Sequence, residues 1–309
     1  MPALTPALSD KRFLFVTGKG GTGKTTVTAA LALRLAAQGK RVLCAMCQAK
    51  ERLSRLLDGP AVGEEIVELQ PRIFAVNMNP DAALTQYGHM VLRVRPVYHA
   101  VMDNPFVRAF FRATPGLNEW AMLGKAWYHT TERGADGAWK YDTVILDAPA
   151  TGHGLDMLRG PKVIVDVAPP GLLRREAARA WSLFSDPNQA GIVVVTLPEE
   201  MPVSETFELL DAVDRELHLP VAQVVVNGVL PPILSPAERE ALLRHGTDPA
   251  APGDEALAVG ARRAIREALQ QESLERLRAG IDAAMTELPL LPGEVDSLAA
   301  VRQLATRFV

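Results

Sequence analysis

One nine-residue stretch, GKGGTGKTT at 18–26, constrains this chain more than any other part of its sequence. The apolar run RFLFVT precedes it, and the helix-like run VTAALALRLAAQ follows it. Residues 18–25 fit the pattern G-x-x-x-x-G-K-[ST] in the strand-to-helix context that this pattern requires. Glycines let backbone N–H groups curl around phosphate oxygens, and the following helix N-terminus adds partial positive charge. The stretch therefore predicts a phosphate-binding loop, and a chance glycine-rich turn is the alternative.

The pattern also predicts what the side chains of this loop do. The Lys24 ammonium would reach the β- and γ-phosphates of a nucleotide, and the Thr25 hydroxyl would bind Mg²⁺. A second lysine, Lys19, stands on the same loop and has no role in the general pattern. The other predicted nucleotide-binding positions of the loop are Gly18, Gly20, Gly21, Thr22, Gly23 and Thr26.

A second informative segment is YDTVILDAPATGHG at 141–154. Its apolar strand pattern ends in Asp147, and a loop rich in small residues follows. An acidic residue at the carboxyl end of a strand beside a phosphate loop is placed to hold Mg²⁺ through the ion's water ligands. A strand-end aspartate that caps a turn is the alternative.

A third segment is QVVVNGVL at 223–230, in which Asn227 ends an apolar strand pattern. A carboxamide offers one donor group and one acceptor, which match the edge of adenine. Asn-Gly is also a common turn pair, so the segment alone is a weak signal.

Short apolar runs alternate with helical patterns along most of the chain. This β-α-β order predicts an α/β fold with a mostly parallel central sheet and helices on both faces. Composition favours strand for 162–167, but the neighbouring residues favour helix. A Pro/Gly-rich loop is predicted at 245–256, and a long helix is predicted at 257–286. The predicted strands are 12–17, 41–46, 72–78, 141–147, 191–196 and 222–227.

The stretch 81–133 breaks this alternation and is mostly helical in pattern. We interpret it as a helical subdomain, at about 80–135, inserted into a single domain that spans 1–309. Trp120, Leu123 and Trp127 share one helical face in this stretch. That face is a candidate docking surface, and the alternative is that it forms the core of the helical region.

Composition limits the classes of partner. The chain has 309 residues, a formal net charge of −3 and 48% hydrophobic residues, which is typical of a globular protein. The near-neutral charge gives no sign of nucleic-acid binding. The first ten residues lack a basic stretch and a long apolar core, and no apolar run approaches the ~20 residues of a membrane span. We therefore expect a cytoplasmic protein that reaches any membrane through a partner.

The two cysteines, Cys44 and Cys47, have the C-x-x-C spacing of redox and zinc sites. They lie in a strand pattern, however, and residues i and i+3 of a strand point to opposite faces of the sheet. We therefore expect two buried, packed thiols.

Together these segments resemble a known family. The phosphate loop, with its extra lysine, resembles the deviant Walker A loop of P-loop NTPases that include the arsenite-pump ATPases. Four further segments narrow the resemblance to those ATPases and to the guided-entry ATPase that carries tail-anchored membrane proteins. The segments are DAPATGH (147–153), VTLPEE (195–200), VVVNGVL (224–230) and LPLLPGEV (288–295).

The resemblance implies ATP and Mg²⁺ as cofactors and a dimer that opens and closes with nucleotide state. It implies that Lys19 reaches across the dimer interface to the partner's phosphates, and a solvated surface lysine is the alternative. Asp147 matches the Mg²⁺-linked switch II aspartate, and Asn227 matches the adenine-binding asparagine. Gly152 and His153 lie in switch II, and Pro289 and Leu290 match the segment that lines the base.

Two departures from the family pattern matter. Gln48 stands where switch I carries a water-activating aspartate, so slow hydrolysis by this chain alone is expected. The cysteines of the arsenite pump and of the zinc-stapled targeting ATPase have no counterparts, which disfavours an anion-pump motor. The preferred hypothesis is an ATP-driven switch that acts on a protein client or partner, membrane-associated partners included. The alternative is a weakly hydrolysing subunit that pairs with a catalytic paralogue; the sequence does not choose between homodimer and heterodimer.

Overall fold

The computed structural model describes residues 8–47, 49–80, 82–83, 86–88, 117–245, 247 and 254–308. In this part of the chain, eight strands form one sheet. They are β1 (Phe13–Thr17), β2 (Val42–Cys47), β3 (Val67–Gln70), β4 (Ile73–Met78), β5 (Thr143–Asp147), β6 (Ala190–Thr196), β7 (Val221–Val229) and β8 (Met285–Pro289). Their order across the sheet is β3-β4-β2-β5-β1-β6-β7-β8. Only the edge pair β3–β4 is antiparallel, which confirms the predicted mostly parallel sheet.

Helices cover both faces of the sheet. They are α1 (Lys24–Ala37), α2 (Leu53–Leu56), α3 (Leu117–Thr131), α4 (Thr151–Val167), α5 (Leu172–Phe184), α6 (Glu200–Ala212), α7 (Pro236–His245), α8 (Glu255–Gly280) and α9 (Leu298–Ala305). One face is packed by α1, α2 and α9, and the other mainly by α3 to α6. This arrangement confirms the α/β class and has the architecture of a P-loop NTPase.

The central strands explain why the chain folds this way. Every residue of β1, β5 and β6 is buried, as expected for near-continuous apolar runs in parallel strands covered on both faces. Because β1 lies between β5 and β6, the loops after these strands meet at one edge of the sheet. That edge is where ligands bind in open α/β sheets.

The six predicted strands are confirmed within a few residues, but other details differ. The ambiguous stretch 162–167 is the end of α4. The helix predicted at 257–286 is wrong at its C-terminal end, because α8 stops at Gly280 and 285–286 belong to β8. A Cβ at Gly280 would lie 2.6 Å from the Phe207 ring, so close packing against α6 accompanies this end. Neither β3 nor β8 was predicted, since both are short and only partly buried, and their apolar pattern is weak.

The aromatic stripe of α3 lies in the core. Trp120, Leu123 and Trp127 are at most 3% exposed and belong to the cluster that includes Phe13 and Leu146 of the sheet. The docking-surface hypothesis for these residues is therefore wrong. They are buried, as the alternative expected, but in a core shared with the sheet and not in one confined to the helical region. Residues 89–116, half of the predicted helical subdomain, lie outside the described residues, so the subdomain stays a prediction.

The cysteines are also as predicted. Both are buried and not disulfide-bonded, and Cys44 and Cys47 belong to the cores on opposite faces of the sheet. Burial raises the pKa of both thiols, and the nearby charge of Asp147 acts in the same direction. Neither thiol is therefore suited to form a reactive thiolate. Among the described residues, no helix has the length and apolarity needed to cross a bilayer.

Candidate active site

The predicted phosphate loop joins the end of β1 to the start of α1, and its shape depends on glycine. Gly18 has φ +144°, and a Cβ there would lie 2.1 Å from the carbonyl oxygen of Val195 on β6. Gly23 has φ +92°, and a Cβ there would lie 2.3 Å from Nδ2 of Asn227. Side chains at these positions would clash or strain the backbone, which explains why the loop needs glycine here.

Between these two tight points the loop faces open space. A Cβ added at Gly20 or Gly21 would meet no atom within 4 Å. Lys24, the first residue of α1, folds back over the loop, and its Nζ donates to the carbonyls of Gly18 (3.1 Å) and Lys19 (3.0 Å). Burial lowers the pKa of Lys24, while the charge of Asp147 acts in the opposite direction. The open surface at Gly20 and Gly21, the N-terminus of α1 and the Lys24 ammonium are together suited to bind a chain of phosphates.

Thr25 and Asp147 meet beside this loop. In the register of the parallel pair β1–β5, Asp147 lies level with Val16, close to where the loop begins. The Thr25 hydroxyl donates to Oδ2 of Asp147 at 2.6 Å. Burial raises the pKa of Asp147 to about 6, although the Thr25 hydrogen bond and the Lys24 charge act in the opposite direction. A hydroxyl and a carboxylate beside a phosphate site fit Mg²⁺, which prefers oxygen ligands.

Asn227 connects the predicted base site to the loop. Its Nδ2 donates to the carbonyl of Thr22 at 2.9 Å, so one of its amide hydrogens holds the phosphate loop. The predicted base-lining residues are nearby, because Pro289 pairs with Val229 and the Leu290 amide donates to Val229 at 2.7 Å. Leu290 is 45% exposed, which leaves apolar surface at this edge. The structure thus brings these predicted residues together.

Lys19 pairs with Glu205 of α6. The two side chains are 51% and 23% exposed, respectively. Sequence reasoning missed Glu205, because a single glutamate on a helix carries no signal of such a contact. The Lys19 ammonium is thus held by a carboxylate of another element.

The two segments that the resemblance assigns as switches are only partly described. Gln48 lies outside the described residues. Glu51, close to it in sequence, accepts hydrogen bonds from the Ser54 amide (2.8 Å) and hydroxyl (2.5 Å), so it caps α2. Gly152 and His153 lie in the first turn of α4, next to the end of β5. At Gly154 a Cβ would lie 3.0 Å from the Thr17 hydroxyl, so the start of α4 sits tightly on the end of β1.

Comparison with known proteins agrees with this geometry. The family model for anion-transporting ATPases matches residues 11–168, about half of the chain. ATPase BagA of Mycobacterium tuberculosis (strain ATCC 25618 / H37Rv) is 30% identical over 236 residues, which cover 75% of this chain and 69% of that protein.

Two pump proteins match over nearly the whole chain. The arsenical pump-driving ATPase of Acidiphilium multivorum is 28% identical over 313 residues, 96% of this chain and 49% of that protein. An arsenical pump-driving ATPase of Escherichia coli is 26% identical over 309 residues, 94% of this chain and 48% of that protein. The chain thus spans about half the length of these two relatives. The chain belongs to the anion-transporting ATPase family, and it is an ATP-binding ATPase.

Proposed function

We propose that this protein is a Mg-ATP-driven dimeric switch that acts on a protein client or partner. One observation carries the proposal: Lys24, the Thr25–Asp147 pair and Asn227 converge on a single open loop, while Lys19 stands on the same loop with a half-exposed side chain. The first group is suited to hold a nucleotide within one chain. A half-exposed lysine is suited to contact a second chain.

Each side chain has a separate task in binding. The loop amides and Lys24 would hold the phosphates, and the exposed Leu290 edge beside Asn227 would receive the base. Thr25 and Asp147 would hold Mg²⁺, which, when bound, neutralises developing charge on the phosphates. Asp147 would serve this purpose as a carboxylate, so binding of the ion would oppose the effect of burial on its pKa.

The dimer is supported by the position of Lys19. An exposed ion pair such as Lys19–Glu205 is weak, on the order of 0–1 kcal/mol. A nucleotide phosphate presented by a second subunit carries more negative charge than one carboxylate, so Lys19 could exchange Glu205 for it. Two facing nucleotides bring many negative charges together, and a lysine from each subunit would neutralise part of that charge.

Gln48 supports slow hydrolysis by this chain alone. A glutamine can orient water but cannot accept its proton, and a positioned general base contributes ~10²–10⁴-fold. The same residue favours the second candidate function, a weakly hydrolysing subunit that completes the site of a catalytic paralogue. We do not propose an anion pump, since Cys44 and Cys47 are buried on opposite faces and cannot bind one anion together.

Calorimetry and light scattering test this proposal. We expect Mg-ATP to bind wild type, and Lys24→Ala to weaken binding by about 10- to 150-fold, which corresponds to a charge-assisted contact of roughly 1.5–3 kcal/mol. A non-hydrolysable ATP analogue should double the mass of wild type. Lys19→Ala should bind ATP normally but stay monomeric, and Lys40→Ala, beyond the far end of α1, is the control.

Two results would contradict the proposal. Equal ATP affinity in wild type and Lys24→Ala would defeat the nucleotide site. An analogue-bound mass that is the same as the nucleotide-free mass would defeat the homodimer and leave the paralogue-pairing alternative. That alternative predicts a mass shift only when the paralogue is added.

A further inference from the structure

The loop that follows β2 is held by an unusual contact. In the parallel pair β2–β4, the last matched residues are Cys47 and Met78. Beyond this point, the side chain of Asn77 makes the next hydrogen bonds to the loop. Its Oδ1 accepts from the Ala49 amide (3.2 Å), and its Nδ2 donates to the Ala49 carbonyl (3.0 Å). The carboxamide thus imitates a peptide group and fixes the backbone at Ala49 from both sides.

Asn77 is itself fixed, so the contact can hold the loop in place. Its backbone amide donates to the Gly63 carbonyl at 2.7 Å, and its own strand is paired with β2. Downstream of Ala49, α2 is anchored because Leu53 and Leu56 are at most 2% exposed. The loop is therefore attached to the sheet at Cys47, to Asn77 at Ala49 and to the core at Leu53.

The place where this loop leaves the sheet is next to the nucleotide site. On the other side of β2 runs β5, and Met46 is in register with Asp147. Only one residue, Gln48, separates the ladder at Cys47 from the clamp at Ala49. The clamp at Ala49 thus follows closely on the strand end that adjoins Asp147. Phosphoryl transfer depends mainly on positioning.

We propose that Asn77 is a positioning residue for ATP hydrolysis, which acts by fixing the loop after β2 at Ala49. The inference rests on the proposed function, in which the loop after β2 orients the attacking water. Asn77 touches neither nucleotide nor water in this scheme. Its effect should therefore fall on turnover and leave ATP affinity unchanged.

Kinetics with a double-mutant cycle test the inference. In Asn77→Ala we expect kcat to fall by roughly 10- to 100-fold, the scale of a misplaced reacting group, with unchanged KM. Gln48→Ala should lower kcat as well, and the double variant should be no slower than the slower single variant. The control is Gln70→Ala, which removes another carboxamide bond to this segment, from Nε2 to the Leu57 carbonyl at 2.7 Å. It should lower stability as much as Asn77→Ala does but keep kcat.

Hydrogen exchange of the peptide that contains Ala49 supplies a readout that needs no turnover. Exchange at Ala49 should be faster in Asn77→Ala than in wild type and unchanged in Gln70→Ala. Normal kcat in Asn77→Ala, or additive losses in the cycle, would overturn the inference. If wild type shows no turnover, the hydrolysis proposal fails by itself. In that case, unchanged exchange at Ala49 in Asn77→Ala would overturn the clamp, and faster exchange would support it.

Discussion

At the scale of single residues, Asp147 combines function with a cost in stability. Burial raises its pKa to about 6 from the ordinary 3.8. Because the folded state holds this proton more tightly than the unfolded state does, stability falls as pH rises from about 4 to about 6 and stays low above that range. An ionised Asp147 without Mg²⁺ therefore destabilises the protein at neutral pH.

We predict that Asp147→Asn stabilises the nucleotide-free protein at pH 7.5 in EDTA. The rise of the Asp147 pKa from 3.8 to about 6 corresponds to an upper limit of about 3 kcal/mol, and the Thr25 hydrogen bond can be kept by the asparagine oxygen. Urea unfolding should show this gain at pH 7.5 and a smaller one at pH 4.5. Asp142→Asn, just before the other end of β5, is the control. Lower stability of Asp147→Asn than of wild type at pH 7.5 would show that the charged contacts outweigh burial.

At the scale of the elements, contacts with neighbouring strands set the shape of the strand–loop–helix unit β1–α1. Its two ends are set by close approaches: Gly18 against Val195, and Gly23 against Asn227. Both contacts join β1–α1 to strands on one side of it, β6 and β7. The loop geometry is therefore a property of three strands and not of the nine-residue motif alone.

We predict opposite outcomes for two substitutions in this loop. Gly18→Ala places a methyl group 2.1 Å from the Val195 oxygen at φ +144°, and should cost at least about 2 kcal/mol and weaken ATP binding. Gly20→Ala, two residues on, meets no atom within 4 Å and should keep wild-type stability. Thermal unfolding compares the two. Equal melting temperatures would mean that the sheet shifts to admit the methyl group.

Strands that are buried along their whole length are easier to predict from sequence than strands that are only partly buried. Strands β1, β5 and β6 are buried along their whole length, so their apolar runs were unmistakable and were predicted. The edge strands β3 and β8 are only partly buried; VELQ alternates apolar and polar residues over just four positions, and MTELP has no regular alternation. The stretch 162–167 has a strand-like composition, yet it is part of α4 because tertiary packing overrides local propensity.

At the scale of the whole molecule, the sequence predicted which candidate-site residues lie together but not the contacts that connect them. The motifs predicted the neighbourhood of Lys24, Thr25 and Asp147, because parallel strands bring their carboxyl ends together. Asn77 and Glu205 could not be predicted, since each acts through a contact between segments that are distant in the chain: Asn77 with Ala49, and Glu205 with Lys19. Such contacts depend on the folded geometry and leave no local pattern.

The Lys19–Glu205 pair leads to a prediction about assembly. In the single chain, Glu205 holds the lysine that the proposed dimer needs, so the ion pair competes with association. Removing the carboxylate should release Lys19 for the partner's nucleotide. Because the pair is exposed, its contribution is small, on the order of 0.2–1 kcal/mol.

We therefore predict that Glu205→Gln strengthens nucleotide-dependent homodimerisation by roughly 2- to 30-fold, because the dimer releases one such pair in each subunit, about 0.4–2 kcal/mol in all. Sedimentation equilibrium with a non-hydrolysable ATP analogue measures the dissociation constant of the dimer. Glu208→Gln, an exposed position on the same helix, makes an equal charge change and should leave the constant unaltered. The gain should vanish in Lys19→Ala, because Glu205 then has no lysine to hold. Weaker dimerisation in Glu205→Gln would instead mean that this carboxylate contacts the second subunit, and that Lys19 is bound by Glu205 in the dimer as well.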